Sequence, residues 1–237
     1  MSGKLLVAID GPAASGKSSA GKMLAERLGI LFFDTGIMYR VITLAAIKNK
    51  IDIDDERSVS RLADETTIEI RKPKIQDGRL NDILMGGEDV TNMIRSQEVN
   101  RYVSKVSTYP GVRESLTKQQ RMVAKKNDVV MAGRDIGTVV LPNASFKFYL
   151  EASVDVRAER RKSDVLEAGK INGLNEIILD LERRDAMDSN RVIAPLRPAD
   201  DAIIIHTDNK SLNQVVDEMV HFIFAKKKFL IYDGYRR

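Results

Sequence analysis

The chain has 237 residues, 43% hydrophobic and 30% charged, with a formal net charge of +4; that is enough apolar content for a sizeable core and far from a disordered composition. With aromatic residues at 5%, no tryptophan and no run in which basic and aromatic side chains interleave, a stacking platform for nucleic acid is disfavoured. Cysteine is absent and the two histidines, His206 and His221, stand apart, which excludes disulfides and thiolate metal sites and argues against a histidine-based one.

The length suits one large domain, or a core domain carrying a smaller insertion. The first apolar run, Leu5 to Ile9, is broken by Asp10 and is too short for a secretory signal, and no apolar stretch reaches membrane-spanning length. A cytoplasmic protein without membrane contact is expected.

Leu5 to Ile9 reads as a strand buried on both faces, as in a parallel sheet. Lys17 to Leu28 has helical periodicity and stops at Gly29, and Ile30 to Phe33 makes a second strand. This is the start of a βαβ unit. A helix follows, with Asp34 or Thr35 as its N-cap and its end near Lys50. From about Asp64 the period changes: "TTIEIRKP" alternates, Asp77-Gly78 signals a hairpin turn, and Leu80 to Met85 reads as the return strand.

From Ser96 to about Lys126 the pattern is helical again, with Pro110 opening a second helix. Asp128 to Ala132 and Phe146 to Leu150 are buried strands, the first leading into "GRDIGTVVLP". Ser153 can cap a charged helix that Gly169 ends, and Leu174 to about Asn190 forms another. Ala202 to His206 is the last strand, and Ser211 with Gln214 forms a capping box for a closing helix to Lys228. The tail after it has no clear assignment.

The stretch between the first strand and the first helix carries the strongest chemical signal. Gly11, Gly16, Lys17 and Ser18 fit G-x-x-x-x-G-K-S/T, the phosphate-binding P-loop. Glycines at these positions let backbone N–H groups of Gly11, Pro12, Ala13, Ala14, Ser15, Gly16, Lys17, Ser18 and Ser19, proline excepted, curl around a phosphate at the start of a helix. Lys17 can reach the β and γ phosphates, and the Ser18 hydroxyl can ligate Mg²⁺. ATP and Mg²⁺ are therefore the expected cofactors. Asp34 could reach the metal through water or cap its helix.

The guanine-reading N-K-x-D is missing, since Asn209-Lys210-Ser211 is followed by Leu212. A switch GTPase is disfavoured. Arginines are instead scattered over several elements, as needed when two polyanions must be brought together.

Those arginines lie in "DTGIMYR" (34–40), "GEDVTNMIRSQEV" (87–99), "YPGVRESL" (109–116), "GRDIGTVVLP" (133–142) and "RRDAMDSNRVIAPLRPADDA" (183–202). With the P-loop, these stretches closely resemble bacterial cytidylate kinases, a family of nucleoside monophosphate kinases, over nearly the whole chain up to about Lys228. The resemblance implies an α/β P-loop kinase core, with a parallel sheet flanked by helices, over 1–62 and 97–237. It also implies an inserted antiparallel patch on the monophosphate side over 63–96 and a mobile lid at about 154–170.

Residue by residue, it implies that Ser104, Arg113 and Asp135 surround a cytosine, that Arg184 and Asp188 hold the ribose hydroxyls, and that Thr35, Arg40, Arg134 and Arg191 hold or approach the monophosphate. The family usually has serine where this chain has Thr35. Arg157 and Arg161, one helical turn apart with Arg160 between them, share a face and are assigned to the lid; a solvated face pairing with Asp155 and Glu159 is the competing reading. The catalytic set is then Lys17, Arg134, Arg157, Arg161 and Arg191. The substrates implied are CMP, dCMP and ATP, handled by a monomer without nucleic acid or membrane. Residue chemistry alone leaves open UMP or another small acceptor, and an ATP-dependent nucleic-acid-binding module.

Overall fold

In chain order, a computed structural model shows β1 (Leu6–Asp10), α1 (Lys17–Leu28), β2 (Leu31–Asp34), α2 (Gly36–Lys48), α3 (Glu56–Glu65), β3 (Ile68–Arg71), β4 (Asp82–Met85) and β5 (Glu88–Asp89). These are followed by α4 (Gln97–Val106), α5 (Pro110–Lys126), β6 (Val129–Ala132), β7 (Phe146–Glu151), α6 (Val154–Glu167), α7 (Leu174–Asn190), β8 (Ile203–His206) and α8 (Leu212–Gly234). Short helical turns occur at Met93–Arg95 and Ile136–Val140. The structure describes residues 4–71, 74–75, 79, 81–167 and 173–234. They form two compact units, residues 1–34 with 124–237, and Thr35–Val123.

The first unit is built on a five-stranded sheet ordered β2-β6-β1-β7-β8, in which every pairing is parallel. Its strands are continuous apolar runs because both faces must be covered. Val7, Ile9, Phe148, Leu150 and Ile205 pack with Ala20 and Leu24 of α1 and with Val216, Met219 and Ile223 of α8. Phe148 is 1% exposed, so truncating it to alanine costs about 3–5 kcal/mol. Leu6 pairs with Val129 on one side of β1, and Val7 with Phe146 on the other. The loop after β1 thus leaves the middle of the sheet at its C-terminal edge, where open α/β sheets place their ligands.

Helix α1 begins at Lys17 and stops at Gly29, whose N–H closes on Ala25 and Glu26, as the periodicity indicates. Ser211 and Gln214 exchange the two bonds of a capping box, 2.8 and 3.3 Å, before α8. That helix continues past Lys228 to Gly234 and absorbs most of the unassigned tail. The expected stop at Gly169 lies outside the described residues. A smaller apolar cluster joins Ala158 of α6 and Ile177 and Leu181 of α7, with Ala13 and Ala14 of the P-loop packed against it.

The second unit pairs β3 with β4 and β4 with β5, both antiparallel. Ile83 of β4 joins Val41, Leu44, Val90, Ile94 and Val99 in its core. The expected Asp77-Gly78 turn and Leu80 lie outside the described residues. Helix α2 starts at Gly36 with Thr35, one of the two expected residues, in the N-cap position, and the Thr35 side chain makes no cap bond there. It ends at Lys48, near the expected Lys50, which is left-handed at φ 55°.

Helix α3 is absent from the sequence reading. Its first turn is capped by Asp55, which accepts from the Ser58 N–H at 3.1 Å, and only Val59 and Ala63 are buried. Val59, Leu62 and Ala63 gather the apolar residues on one face of an otherwise polar segment, so the helical period and the Asp55 cap are both present in the sequence, a local signal that the reading above does not use. The helix packs on α2, just before it in the chain, and is tied to neighbours further on. The Tyr109 hydroxyl donates to the Ile53 carbonyl at 2.6 Å and Ser115 to that of Ala63 at 3.0 Å. Helix α4 is capped by Ser96, which accepts from the Val99 N–H, and α5 opens at Pro110, both as expected.

Candidate active site

The P-loop runs from Gly11 to Ser19 at the end of β1. Gly11 has φ 147°, and a Cβ there would lie 2.3 Å from the Leu150 carbonyl oxygen, so no larger residue fits without moving β7. Gly16, at φ 91°, turns the chain into α1, and Ala14 is also left-handed at φ 58°. A non-glycine residue held there costs about 1 kcal/mol or more. Ser15 is fully buried.

The Lys17 ammonium donates to the Pro12 carbonyl and, at 3.3 Å, to the Ser15 hydroxyl. It is held well below the usual lysine range, first by burial and then by the positive charge of Arg134, with Asp34, Asp188 and Asp10 opposing. The Ser18 hydroxyl donates to Asp34 Oδ2 at 2.6 Å. A hydroxyl and a carboxylate side by side are hard oxygen donors of the type Mg²⁺ takes. Among the described residues no group of three or more His, Asp or Glu side chains is placed to hold a metal.

Behind the loop, a chain of charges links β6 to α7. Arg134 Nε meets Asp188 Oδ2 at 2.8 Å, Asp188 Oδ1 lies 3.5 Å from Arg191 Nη1, and Arg191 Nη2 lies 3.7 Å from Asp135 Oδ1. Arg191 also donates from Nε to the carbonyl of Ala194, a residue held at φ 53°. Leu196 N–H closes this turn on the Asp188 carbonyl at 2.8 Å. Arg184 pairs with Asp180 at 3.0 Å; burial lowers its pKa, Asp180 opposes, and Arg161 and Arg134 lower it further.

On α6, Arg157 is buried. It donates to the Ala13 carbonyl at 3.2 Å and to that of Ala152 at 3.1 Å, and it pairs with Asp185 of α7 at 2.6 Å. For Arg157 the solvated-face reading, with Asp155 and Glu159 as partners, is therefore corrected. Arg160 grips Thr207 by its hydroxyl at 3.0 Å and its carbonyl at 2.7 Å, and its Nη1 lies 3.9 Å from where a Gly16 Cβ would sit.

In the second unit, Arg40 donates to the Ile94 carbonyl at 3.1 Å and to Asn100 at 2.7 Å, so it is not a solvated helix side chain. Arg113 is 3% exposed, donates to the Ser107 carbonyl at 3.0 Å and sits 5.5 Å from the Tyr39 ring centre. Ser104 is half-buried on α4, and Thr35 is buried at the start of α2.

Residues 7–225 match the cytidylate kinase family. The chain belongs to the cytidylate kinase family. Cytidylate kinase from Geobacillus sp. strain WCH70 is 45% identical over 94% of this chain and 98% of its own length. That from Chloroflexus aggregans is 46% identical over 93% and 95%. A gluconokinase from Sinorhizobium meliloti, only 13% identical, superposes with a TM-score of 0.51 over 96% of both chains and shows the kinase fold alone.

Within the first unit of this cytidylate kinase family member, Lys17, Arg134, Asp135, Arg184, Asp188 and Arg191 share one charged neighbourhood. The sequence reading missed Asp10, Asp185 and the grip of Arg160. Asp185 is the only one with a usable signal: it adjoins Arg184 in a quoted motif, but nothing local tells that its partner is Arg157, on another helix.

Proposed function

We propose that the protein phosphorylates CMP and dCMP with Mg·ATP as donor, giving CDP or dCDP and ADP. Family membership points there, and the single structural observation that carries the mechanism is the electrostatic coupling of Lys17 to Arg134 and Asp188. It joins the cation of the phosphate loop to the arginine of "GRDIGTVV".

The acceptor is a phosphate oxygen. With a second pKa near about 6 for a phosphate monoester, it is largely dianionic at neutral pH and requires no general base. That oxygen forms a bond to the γ-phosphorus of ATP as the bond to the β,γ-bridging oxygen breaks, and the electron pair leaves on ADP. Catalysis is thus positioning and charge neutralisation. Lys17 exchanges its present oxygen partners, Pro12 and Ser15, for phosphate oxygens. Ser18 and Asp34 would hold Mg²⁺, which when bound would screen the β and γ phosphates.

The proposal assigns the monophosphate to Thr35, Arg40, Arg134 and Arg191, the ribose to Arg184 and Asp188, and the cytosine edge to Ser104, Arg113 and Asp135, because these positions match the family's motifs. A carboxylate with hydroxyl and guanidinium donors suits a base that offers an amine beside acceptors. The monophosphate-side segment is 63–96, and the lid extends over about 154–170, with Arg157 and Arg161 on it. Closure excludes water, a competing acceptor, so ATP hydrolysis without CMP is slow.

An ADP-release assay with ATP and each ribo- and deoxyribonucleoside monophosphate tests the reading. Turnover concentrated in the cytidine forms is expected. Equal turnover with UMP or AMP, or none with any of them, overturns it.

A further inference from the structure

We infer that Asp10 is a positioning residue for the acceptor nucleotide, fixing the segment that carries Arg134 and Asp135 to the strand that ends in the phosphate loop. This rests on the function proposed above. Asp10 is the last residue of β1, 3% exposed. Its Oδ1 accepts from the Ile136 N–H and its Oδ2 from the Gly137 N–H, each at 2.7 Å. These are the first N–H groups of the turn Ile136–Val140, which closes through Val140 N–H to the Asp135 carbonyl and Leu141 N–H to that of Ile136. Asp135 stands in the N-cap position but forms no side-chain cap bond. Its side chain faces Arg191 instead, and the capping is supplied by Asp10, from another strand.

The segment is pinned at both ends. Upstream, Gly133 N–H bonds the Ile9 carbonyl at 2.9 Å, the last rung between β1 and β6. Downstream is the Asp10 carboxylate. Between these points lie Arg134 and Asp135, whose side chains engage Asp188 and Arg191. Any drift of the turn therefore moves both.

Only a carboxylate accepts at both oxygens. Asparagine must turn an N–H toward one of the two N–H groups. The fit is close: a Cβ on Gly137 would lie 3.2 Å from Asp10 Oδ2 and 3.2 Å from Lys147 Cδ. The charged groups around Asp10 are Lys17, which favours its anion, and Asp135, which opposes it. Tyr149 of β7 also feels its field, and the Lys147 ammonium is engaged by Asp201 at 2.7 Å. Burial pushes the carboxyl up to about 6, so at neutral pH the clamp is mostly ionised.

The test is Asp10→Asn in the full chain, with steady-state kinetics for CMP and an ATP dissociation constant measured without CMP. A 1 Å misplacement remote from the chemistry can cost about a hundredfold, so the lost bond is expected to raise KM for CMP about tenfold or more and to lower kcat. ATP affinity is expected to stay within about threefold. A KM for CMP equal to wild type, or equal weakening of both nucleotides, overturns the inference. A merely structural role lowers the melting temperature and leaves KM for CMP in place. If Asp10→Asn does not fold, Gly137→Ala presses on the same clamp by a few tenths of an ångström. It is expected to raise KM for CMP in the same direction, and an unchanged KM rejects the role. Wild-type protein that turns over no CMP rejects the proposed function and this role together, whereas wild-type turnover with unaltered variants rejects the role alone.

Discussion

Arg157 and Asp185 meet at 2.6 Å, which ties α6 to α7 while the same guanidinium holds the Ala13 carbonyl of the P-loop. Arg161, one turn further on, forms no ion pair among the described residues, and its charge bears on Arg184. The two arginines that share a helix face thus have separable effects. Arg157→Ala strands Asp185, whose Oδ1 is already buried without a hydrogen bond, and is expected to destabilise by about 2 kcal/mol. That lowers the melting temperature by about 4–8 °C. Arg161→Ala is expected to leave the melting temperature within about 1 °C and to lower kcat by roughly a hundredfold. Melts and kinetics on both variants check the split, and equal melts refute it.

Lys17→Ala removes the cation of the phosphate loop. A kcat loss of about a hundredfold or more is expected, exceeding the loss of ATP affinity. Because burial and Arg134 hold the wild-type ammonium below the lysine range, incoming phosphates raise its pKa again. ATP binding is then expected to take up protons at alkaline pH, seen in calorimetry as a heat that depends on the ionisation enthalpy of the buffer. Buffer-independent heats at alkaline pH contradict this.

Ser18 and Asp34, 2.6 Å apart, are the proposed metal donors. Asp34→Asn and Ser18→Ala are each expected to raise the Mg²⁺ concentration for half-maximal rate by about tenfold or more. The check is a magnesium titration at fixed ATP. An unshifted midpoint in both removes them from the metal site.

Asp10 sets a pH dependence of stability whose sign follows from its raised pKa. Between 3.8 and about 6, the folded chain binds a proton that the unfolded chain has released. Stability contributed by this group therefore falls as pH rises through that window, by up to about 3 kcal/mol. Denaturant melts of wild type and Asp10→Asn at pH 4.5 and 7.5 are expected to show a larger fall, or a smaller gain, with pH for wild type. Parallel behaviour of the two proteins counts against it.

The elements legible in the sequence were those whose signals are local. Lys17 and Gly29 bound α1 because a P-loop opens the helix and a left-handed glycine closes it, Pro110 opens α5, and Ser211 with Gln214 announces α8. The misses share the opposite property. Helix α3 is the exception, since its Asp55 cap and one-sided apolar pattern are local. The turn at Ile136–Val140 depends on a carboxylate in β1. For the site, the glycine spacing exposed the phosphate loop and the motifs exposed the arginines, but their partners Asp188, Asp185 and Ala194 are set by tertiary packing. No spacing rule reports that Arg157 belongs to Asp185 rather than Asp155.

The sheet order also dictates when the protein can fold during synthesis. β1 leaves the ribosome well before its neighbours in the sheet, which begin only at Val129 and Phe146, whereas Thr35–Val123 is uninterrupted chain. The nascent phosphate loop must therefore wait, its strand unpaired on either side, while the intervening unit is translated whole and becomes free to collapse first.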